Sequence, residues 1–339
     1  MRTDYGKWPR EAKGVRHRAR LWHTARPMAH PDLATYFEGC LLGVMTGDSL
    51  GGRVESTSFG VLRHRYPGHD VQEMHPGRYG SASEMTLALA ESLASDPEFD
   101  GEDFARRLCL RCHDTRSYGQ GTLISLGHLR GGADWNQAGD APAGRGCYGN
   151  AAAARGAAIG LLYSGDVDTL RWIAEEAAGV THTHALGVEG AVVFALATAL
   201  ALSSRGRSIV PLAFLESIAA ETQMREYRSR LESAATLAER DWDEKTIVER
   251  LGNNQTALGS VVTAIACFAC HPANFLDPVS AAIRLGGNAT SIVAMTGALA
   301  GARHGRASIP LNWLGGLESA ELCVEDMAGA ARALASVCP

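Results

Sequence analysis

The sequence predicts an all-α fold in which the ends of several helices meet at one ligand cleft. Hydrophobic residues make up 46% of the chain, alanine and glycine are abundant in segments with helical spacing, and polar turns that contain glycine precede those segments. The segment 284–305, RLGGNATSIVAMTGALAGARHG, combines these features. Gly297 and Gly301 lie four residues apart on one face of this helix, where the lack of a side chain allows a second helix to approach closely.

Polar residues lie in the turn that precedes this helix and in its first residues. Gly286 and Gly287 can adopt backbone conformations that other residues avoid, and Asn288 is a favourable N-cap residue. The residues from Asn288 to Ser291 therefore predict either the plain start of a buried helix or one wall of a ligand pocket.

Residues 1–30 differ in composition from the rest of the chain. They contain eight arginines and lysines against two acidic residues, and their apolar periodicity is weak. This composition predicts a basic, partly mobile N-terminal extension that is solvated, with contact to a partner chain or an acidic ligand as the alternative. Residues 31–339 are predicted to form a single helical domain.

The first helix of the domain is expected to start after Asp32, a favourable capping residue, and to end in the glycine-rich segment 45–56, MTGDSLGGRVES. Asp48 and Glu55 lie among small residues in this segment. There a carboxylate can reach into a cleft, or it can accept hydrogen bonds from the backbone amides of the turn, which is the commoner arrangement.

A second helix is predicted over 81–93, SASEMTLALAESL, after a loop rich in proline and glycine. Ser81 or Ser83 is expected to be its N-cap. The methionine and leucines that follow predict a buried face.

Two CxxC pairs occur in the chain, Cys109 with Cys112 and Cys267 with Cys270. Two such pairs can form a zinc site. Both lie inside apolar helical runs, without the glycine-rich turn that such sites use, so they are interpreted as buried free thiols.

The composition argues against several classes of function. The formal net charge of −5 gives no indication of a nucleic-acid or membrane partner, and no apolar run is expected to reach the roughly 20 residues that a membrane span needs. The N-terminus lacks the apolar core of a signal peptide, and the eight cysteines show no disulfide pattern. The chain is therefore predicted to be a soluble cytoplasmic protein.

Three further polar turns precede apolar segments. The turn 116–122, RSYGQGT, has two glycines and can bind phosphate through exposed amides. Gly149-Asn150 opens an alanine-rich helix, and Thr181, His182 and His184 open a long apolar one. A histidine at such a position is usually a structural hydrogen-bonding residue, although a pair of them also suits a ligand role. Because helix N-termini carry partial positive charge, these turns suit a phosphorylated ligand.

Six segments occur in an order that is typical of one known family. They are GCLLGVMTGDSLGGRVES, EMTLALAESL, RSYGQGT, YGNAAAARGAAIGLLY, THTHALGVEGA and LGGNATSIVAMTGALAGARHG. From about Tyr36 to Leu317 the chain thus resembles the ADP-ribosylglycohydrolase family, which includes the dinitrogenase reductase-activating glycohydrolases and the ADP-ribosyl-acceptor hydrolases. The resemblance implies a compact all-α helical bundle, a single cleft for ADP-ribose, and usually two magnesium ions that position the ribose and a water.

The resemblance also implies which residues form the site. Glu55 matches an acidic family position near the reaction centre and is the first candidate for a general base or acid, followed by Asp48. Burial among glycine and alanine is expected to favour the neutral form of the Glu55 carboxyl. The residues implied to hold the phosphates, ribose and adenine are Tyr118, Gly119, Gly121, Thr122, Gly149, Asn150, Thr181 and His182. The further candidates for ligand binding, at two helix starts, are Ser81, Asn288, Thr290 and Ser291.

Both metal-binding motifs of the family are altered in this chain. Where family members carry Thr-Asp-Asp-Thr, the segment 80–83 reads Gly-Ser-Ala-Ser, and where they carry Gly-Gly-Asp-Thr-Asp-Thr, the segment 286–291 reads Gly-Gly-Asn-Ala-Thr-Ser. Magnesium needs anionic oxygen ligands, which neutral hydroxyls and amides do not replace. The sequence therefore predicts neither a bound magnesium pair nor another cofactor.

Three functions remain open at this point. The first is an enzyme that acts without metal on an N-ribosyl, ADP-ribosyl or related nucleotide substrate, and the presence of Glu55 and both histidines favours it. The second is a catalytically inactive protein that binds ADP-ribose or a nucleotide. The third is an interaction scaffold without a small ligand. The predicted partner in the first two is a small nucleotide or ADP-ribosyl molecule.

Overall fold

A computed structural model describes residues 33–66, 70–141, 146–240 and 242–338, and within these residues the chain is helical and contains no β-strand. The predicted all-α fold is confirmed. The extension 1–30 and the capping residue Asp32 lie outside the described residues. The α-helices of the described residues are α1 (Leu33–Gly52), α2 (Phe59–Arg65), α3 (Ser81–Ser95), α4 (Gly101–Arg111), α5 (Gln120–Arg130), α6 (Trp135–Ala138), α7 (Ala151–Arg155), α8 (Ala157–Leu162), α9 (Val167–Gly179), α10 (Ala185–Ser203), α11 (Pro211–Glu221), α12 (Arg225–Ala238), α13 (Glu244–Leu251), α14 (Val261–Cys270), α15 (Leu276–Leu285), α16 (Ala289–His304), α17 (Leu311–Gly316) and α18 (Val324–Ser336).

Helices α1 and α16 pack against each other too closely for side chains to fit between them. A Cβ atom at Gly39 would lie 2.5 Å from the carbonyl oxygen of Gly301, and one at Gly43 would lie closer still to the carbonyl oxygen of Gly297. Real Cβ atoms do not approach backbone oxygens at such distances, so glycine is required at these positions. The close approach predicted from Gly297 and Gly301 is confirmed.

This contact continues to the end of α1. The helix ends at Gly52, inside the segment 45–56 where its end was predicted, and its glycines remain packed against α16 up to that point. A Cβ atom at Gly51 would lie 2.5 Å from the carbonyl oxygen of Ala289. The two helices are antiparallel, so the end of α1 lies beside the start of α16. Asp48 and Glu55 are thereby brought to the same end of the fold.

Helix α10 is an apolar helix in the interior of the fold. By length and composition alone, its 19 residues could cross a membrane. Within its apolar window, however, 83% of the residues are buried inside the protein, where the helix packs against α7, α8, α9 and α16. A helix surrounded by other helices needs apolar residues on every face, which explains this composition.

The eight cysteines are all free thiols. Cys112 and Cys267 are buried, whereas Cys109 and Cys270 are partly exposed. The interpretation of both CxxC pairs as buried thiols is therefore correct for one member of each pair only.

Four helix starts meet on one side of the fold. Helices α3, α5, α7 and α16 begin at Ser81, Gln120, Ala151 and Ala289, and residues at each start line the same cleft. The fold therefore brings together turns that are far apart in the chain.

Candidate active site

The cleft at the helix starts has a volume of about 610 Å³. Most of the residues predicted to form the site line it. These residues are Glu55, Ser81, Tyr118, Gly119, Gly121, Thr122, Gly149, Asn150, His182, Asn288 and Ser291.

A side pocket of about 500 Å³ adjoins the cleft and is lined by two other predicted residues, Asp48 and Thr290. Five residues line both spaces and form the boundary between them, namely Glu55, Ser81, Ser117, Asn288 and Ser291. The two carboxylates singled out in the sequence are therefore near each other, one on the boundary and one inside the side pocket.

Glu55 is held on this boundary by the start of α16. Its Oε1 accepts a hydrogen bond from Asn288 Nδ2 (2.8 Å), and its Oε2 accepts hydrogen bonds from the Thr290 backbone N–H (2.8 Å) and the Thr290 hydroxyl (2.6 Å). Glu55 thus caps α16, whereas Asn288, which occupies the predicted N-cap position, makes no side-chain capping bond. Glu55 is exposed, so the expectation that it is buried is wrong.

Asp48 caps a second helix, α3. Its Oδ2 accepts hydrogen bonds from the backbone N–H groups of Gly80 and Ser83 (both 2.9 Å) and from the Ser83 hydroxyl (2.6 Å). Gly80 occupies the N-cap position, so neither predicted serine is the cap. Asp48 is buried, and its Oδ1 has no partner within the described residues. Burial raises the pKa of Asp48 to about 6, although the hydrogen bonds from Ser83 and Gly80 oppose this rise.

Replacement of Asp48 by asparagine is expected to remove a pH dependence of stability. The pKa of Asp48 in the folded protein, about 6, exceeds its ordinary value of 3.8, so the folded state binds more protons between these values. The free energy of unfolding should therefore fall as pH rises through this range, by up to about 3 kcal/mol from this group. Urea unfolding of both proteins between about pH 4 and pH 7 measures the difference.

The exposed aspartate Asp134 provides a control for this experiment, because it lies directly before the start of α6 but makes no side-chain capping bond. The Asp134→Asn variant should keep the pH dependence of the unmodified protein. A pH profile of Asp48→Asn that runs parallel to the wild-type profile would contradict the raised pKa of Asp48.

His182 is oriented by hydrogen bonds that begin at a buried arginine. Arg155 Nη2 lies 2.9 Å from Thr181 Oγ1, which lies 2.7 Å from His182 Nδ1. A guanidinium only donates, so the Thr181 hydroxyl accepts from Arg155. Among the described residues Nδ1 is the acceptor within reach of the hydroxyl proton, and the hydroxyl therefore donates to Nδ1. The ring proton of His182 is therefore on Nε2, which has no partner within the described residues and lies 3.6 Å from the Cβ position of Gly149, another cleft residue.

Thr181 does not line the cleft, in contrast to its predicted contact with ligand. It is buried behind His182 and supports that side chain. Burial, together with the nearby charge of Arg155, lowers the pKa of His182 to about 3. His182 is therefore neutral at pH 7 and presents an N–H donor.

Arg155 is a site residue that the sequence analysis missed. It is buried, donates to the carbonyl oxygen of Ala177 (2.7 Å), and its pKa is lowered to about 10 by burial. It is the single charged residue in the segment YGNAAAARGAAIGLLY. An isolated arginine in an alanine-rich helix is a signal that was available in the sequence, since charged side chains are rarely buried without a specific partner.

Tyr148 was missed as well, although it lies in a quoted motif. Its side chain lines the cleft and remains 51% exposed, and its ring centroid lies 5.2 Å from that of His184. His184 accepts a hydrogen bond from the Leu186 N–H at Nδ1 (3.2 Å) and so caps α10. Of the two histidines, His184 therefore has a structural role and His182 lines the cleft.

Two predicted ligand residues have polar groups that are already bonded within the protein. The Tyr118 hydroxyl donates to Glu84 Oε2 (2.6 Å). Asn150 Nδ2 donates to Ser260 Oγ (2.9 Å) and to Asn288 Oδ1 (2.7 Å). Both residues line the cleft. Because these polar groups are already bonded, the two side chains contact a ligand mainly through van der Waals packing.

Comparison with known proteins identifies the family of this chain. The family model described as ADP-ribosylglycohydrolase matches residues 29–339. The chain belongs to the ADP-ribosylglycohydrolase family. The resemblance inferred from the six segments is thereby confirmed, and the matched region contains every residue of the cleft and of the side pocket.

Individual members of the ADP-ribosylglycohydrolase family are similar over most of their length. The chain is 33% identical over 318 residues to ADP-ribosylhydrolase ARH3 of Mus musculus. This alignment covers 82% of this chain and 86% of the mouse protein. It is 24% identical over 298 residues to ADP-ribosyl-[dinitrogen reductase] glycohydrolase of Rhodospirillum rubrum, in an alignment that covers 86% of this chain and 93% of the bacterial protein. A solved structure described as an ADP-ribosylglycohydrolase-related protein complex superposes with a TM-score of 0.68 at 26% identity. The superposition covers 91% of this chain and 100% of the solved chain.

The segments that resemble the aspartate motifs of the ADP-ribosylglycohydrolase family hold neutral side chains that bond within the protein. In the first segment, Ser83 donates to Asp48. In the second, Asn288 and Thr290 donate to Glu55. Asp48, near the end of α1, accepts the hydrogen bond at the start of α3, and Glu55, just beyond α1, accepts those at the start of α16.

Proposed function

We propose that this protein binds an ADP-ribosyl or related N-ribosyl ligand in the cleft and hydrolyses its ribosyl bond without a dinuclear magnesium site. The observation that carries the proposal is the placement of Glu55 on the boundary of the cleft, where three hydrogen bonds from Asn288 and Thr290 hold its carboxylate. A carboxylate held beside a ligand cleft can exchange a proton with a reacting water.

Three features of the cleft suit ADP-ribose. The first turn of α5, from Gln120 to Thr122, lines the cleft, and the amides at a helix N-terminus favour phosphate oxygens. Neutral His182 supplies the Nε2–H donor for a phosphate or ribose oxygen. The exposed ring of Tyr148 provides a flat surface on which an adenine base can stack.

Glu55 retains the capacity to act on water. Each carboxylate oxygen has two lone-pair directions, so Oε1, which accepts one hydrogen bond from Asn288, can accept a second from water. In the proposed reaction this water transfers a proton to Glu55 while its oxygen bonds to the anomeric carbon of the ribose. The leaving group departs with the electron pair of the broken bond.

The residues present do not fit a pair of magnesium ions. Magnesium requires carboxylate ligands and near-octahedral geometry. Ser81, Ala82, Asn288 and Thr290 stand where the resemblance implies aspartates, and none of them carries a charge. Asn288 also directs its Nδ2 donor, rather than an oxygen, toward Glu55.

Added magnesium is accordingly expected to change neither the melting temperature nor the turnover. An ion that binds the folded state and is present at a hundred times its Kd would stabilise the protein by roughly 2.7 kcal/mol. Differential scanning calorimetry with magnesium chloride, then with excess EDTA, measures this effect against potassium chloride at equal ionic strength.

A variant with restored carboxylates provides the comparison for this result. The Ser81→Asp/Asn288→Asp double variant regains one aspartate in each altered motif, so a magnesium-dependent rise in its melting temperature is expected. A rise in the unmodified protein that EDTA reverses would contradict the metal-free proposal.

One observation favours a second function, the binding of ADP-ribose or a nucleotide without turnover. Both oxygens of Glu55 and Oδ2 of Asp48 already accept hydrogen bonds from helix starts. These bonds give each carboxylate a structural role that requires no proton transfer. In that case the cleft would bind the ligand and leave it unchanged.

Two measurements separate these functions. Isothermal titration calorimetry with ADP-ribose tests binding, and chromatographic analysis of ADP-ribosyl-arginine incubated with the protein and EDTA tests hydrolysis. Binding together with turnover in EDTA supports the hydrolase, and binding without turnover supports the binding protein. Absence of both would contradict both proposals and favour a scaffold.

A further inference from the structure

Three arginines line the side pocket, and two of them lack a carboxylate partner within the described residues. Arg78 Nη2 donates to the backbone oxygen of Thr115 (3.0 Å). Arg53 Nη2 lies 2.8 Å from the point where Gly77 would carry a Cβ atom. Arg53 and Arg78 are exposed, whereas Arg116 is buried and ion-paired. Two guanidinium groups are therefore present in the pocket without an acidic partner.

Three of the four oxygens of the Glu55 and Asp48 carboxylates in the side pocket accept hydrogen bonds from helix starts. Glu55 accepts its three hydrogen bonds from the start of α16, and Asp48 Oδ2 accepts three from the start of α3. The fourth, Asp48 Oδ1, has no partner within the described residues, but it lies at the start of α3, 2.6 Å from the Cβ position of Gly80. Guanidinium groups that are not paired with these carboxylates remain available to bind an oxyanion through two parallel hydrogen bonds.

The side pocket adjoins the part of the cleft where the reaction is proposed. Glu55, Ser81, Asn288 and Ser117 line both spaces. Ser117 has a φ of 60°, and so does Ser56, the residue after Glu55. This left-handed conformation is uncommon for serine and tends to occur at functional sites. If the reacting ribose lies at Glu55 with its nucleotide part in the cleft, its leaving group extends into the side pocket.

We propose that the side pocket is an anion-binding subsite in which Arg53 and Arg78 bind a phosphate or carboxylate on the leaving group of the ribosyl substrate. The assignment of the bound anion to the leaving group rests on the proposed function of the cleft. The anion-binding subsite itself rests on Arg53 and Arg78. It defines the substrate class as ADP-ribosyl or N-ribosyl compounds with an anionic leaving group.

Inorganic phosphate is the first probe of this subsite. Thermal melting and phosphorus NMR titration of the full chain measure its binding, against chloride at equal ionic strength. The affinity for phosphate should fall at least about tenfold in Arg53→Gln/Arg78→Gln, because charge-assisted hydrogen bonds are lost. The matched variant Arg63→Gln/Arg65→Gln removes two exposed arginines of α2 and should retain the affinity. A parallel titration with acetate distinguishes carboxylate from phosphate.

A second titration connects the subsite to the cleft. ADP-ribose 1″-phosphate carries a phosphate at the position of the leaving group, and should bind about tenfold more tightly than ADP-ribose, since it gains charge-assisted hydrogen bonds. The Arg53→Gln/Arg78→Gln variant should bind both compounds equally.

The possible failures of these titrations are distinguishable. If neither phosphate nor acetate binds, or if binding is unaffected in Arg53→Gln/Arg78→Gln, the subsite is overturned even when ADP-ribose binds normally. Phosphate binding that depends on the two arginines, without any binding of ADP-ribose, would overturn the proposed function and support the subsite. Equal affinities of the unmodified protein for the two ADP-ribose compounds would overturn the assignment to the leaving group.

Discussion

Replacement of Glu55 by glutamine is expected to lower the turnover of an ADP-ribosyl substrate by about 10²–10⁴-fold, the range that general acid–base catalysis contributes. Glutamine has nearly the same size as glutamate but cannot accept the proton of the attacking water. Because the carboxylate is the group on the cleft boundary that is proposed to take this proton, its loss should affect the chemical step rather than the binding of ligand.

The Glu55→Gln substitution should change stability and ADP-ribose affinity little. Glu55 is exposed, so the change removes no buried charge. Glutamine has a single acceptor oxygen, however, and can keep the hydrogen bonds from Thr290 or the one from Asn288, but not both sets. The expected cost is about 1 kcal/mol of the free energy of unfolding.

Turnover and calorimetric ADP-ribose affinity, measured side by side, test the role of Glu55. Thr290→Val is the matched control, because it removes one hydrogen bond to Glu55 while it keeps the carboxylate, and it should retain most of the turnover. Unchanged turnover in a folded Glu55→Gln protein would exclude Glu55 from the mechanism and shift the proposed role to Asp48 or His182.

Replacement of Gly43 by alanine is expected to lower the free energy of unfolding by about 3 kcal/mol, at the upper end of the usual cost of overpacking. The added methyl group would overlap the backbone of Gly297, which cannot rotate away as a side chain can. To accommodate it, α1 would have to move away from α16, along the contact that also places Glu55 beside Thr290.

Gly127 provides the control for this substitution. It lies in α5, is exposed, and has no atom within 4 Å of its Cβ position. Gly127→Ala should raise the free energy of unfolding by about 0.5–1 kcal/mol, because alanine favours the helix more than glycine does. Urea unfolding followed by circular dichroism measures both variants. A Gly43→Ala protein as stable as Gly127→Ala would contradict the close packing of α1 against α16.

The fold could largely be predicted from the sequence, because helical spacing and the positions of glycines are local features. The helix that begins near Asn288 and its closely packed face at Gly297 and Gly301 were both expected. The end of α1 was predicted only to within the segment 45–56, since Gly47 and Gly51 are typical of a turn when considered locally. In the folded protein they face the backbone of α16, and that contact keeps this part of the chain helical.

The candidate site could be predicted only in part. Polar residues at helix starts, such as His182 and Asn288, were identified because they interrupt apolar segments. The tautomer of His182 depends on Arg155 and on Thr181 behind it. No feature of spacing indicates which nitrogen of a histidine carries the proton.

The all-α class, the family and the neutral residues in both aspartate motifs follow from the order and identity of the residues alone. The folded protein was needed to show that Asp48 and Glu55 cap α3 and α16, and that Arg53 and Arg78 share a pocket with them. The Asp48–Ser83 bond joins residues 35 apart in the chain, and the Glu55–Thr290 bond joins residues 235 apart. Such pairs form because α1 packs against α3 as well as α16, and this packing determines which donors each carboxylate can reach.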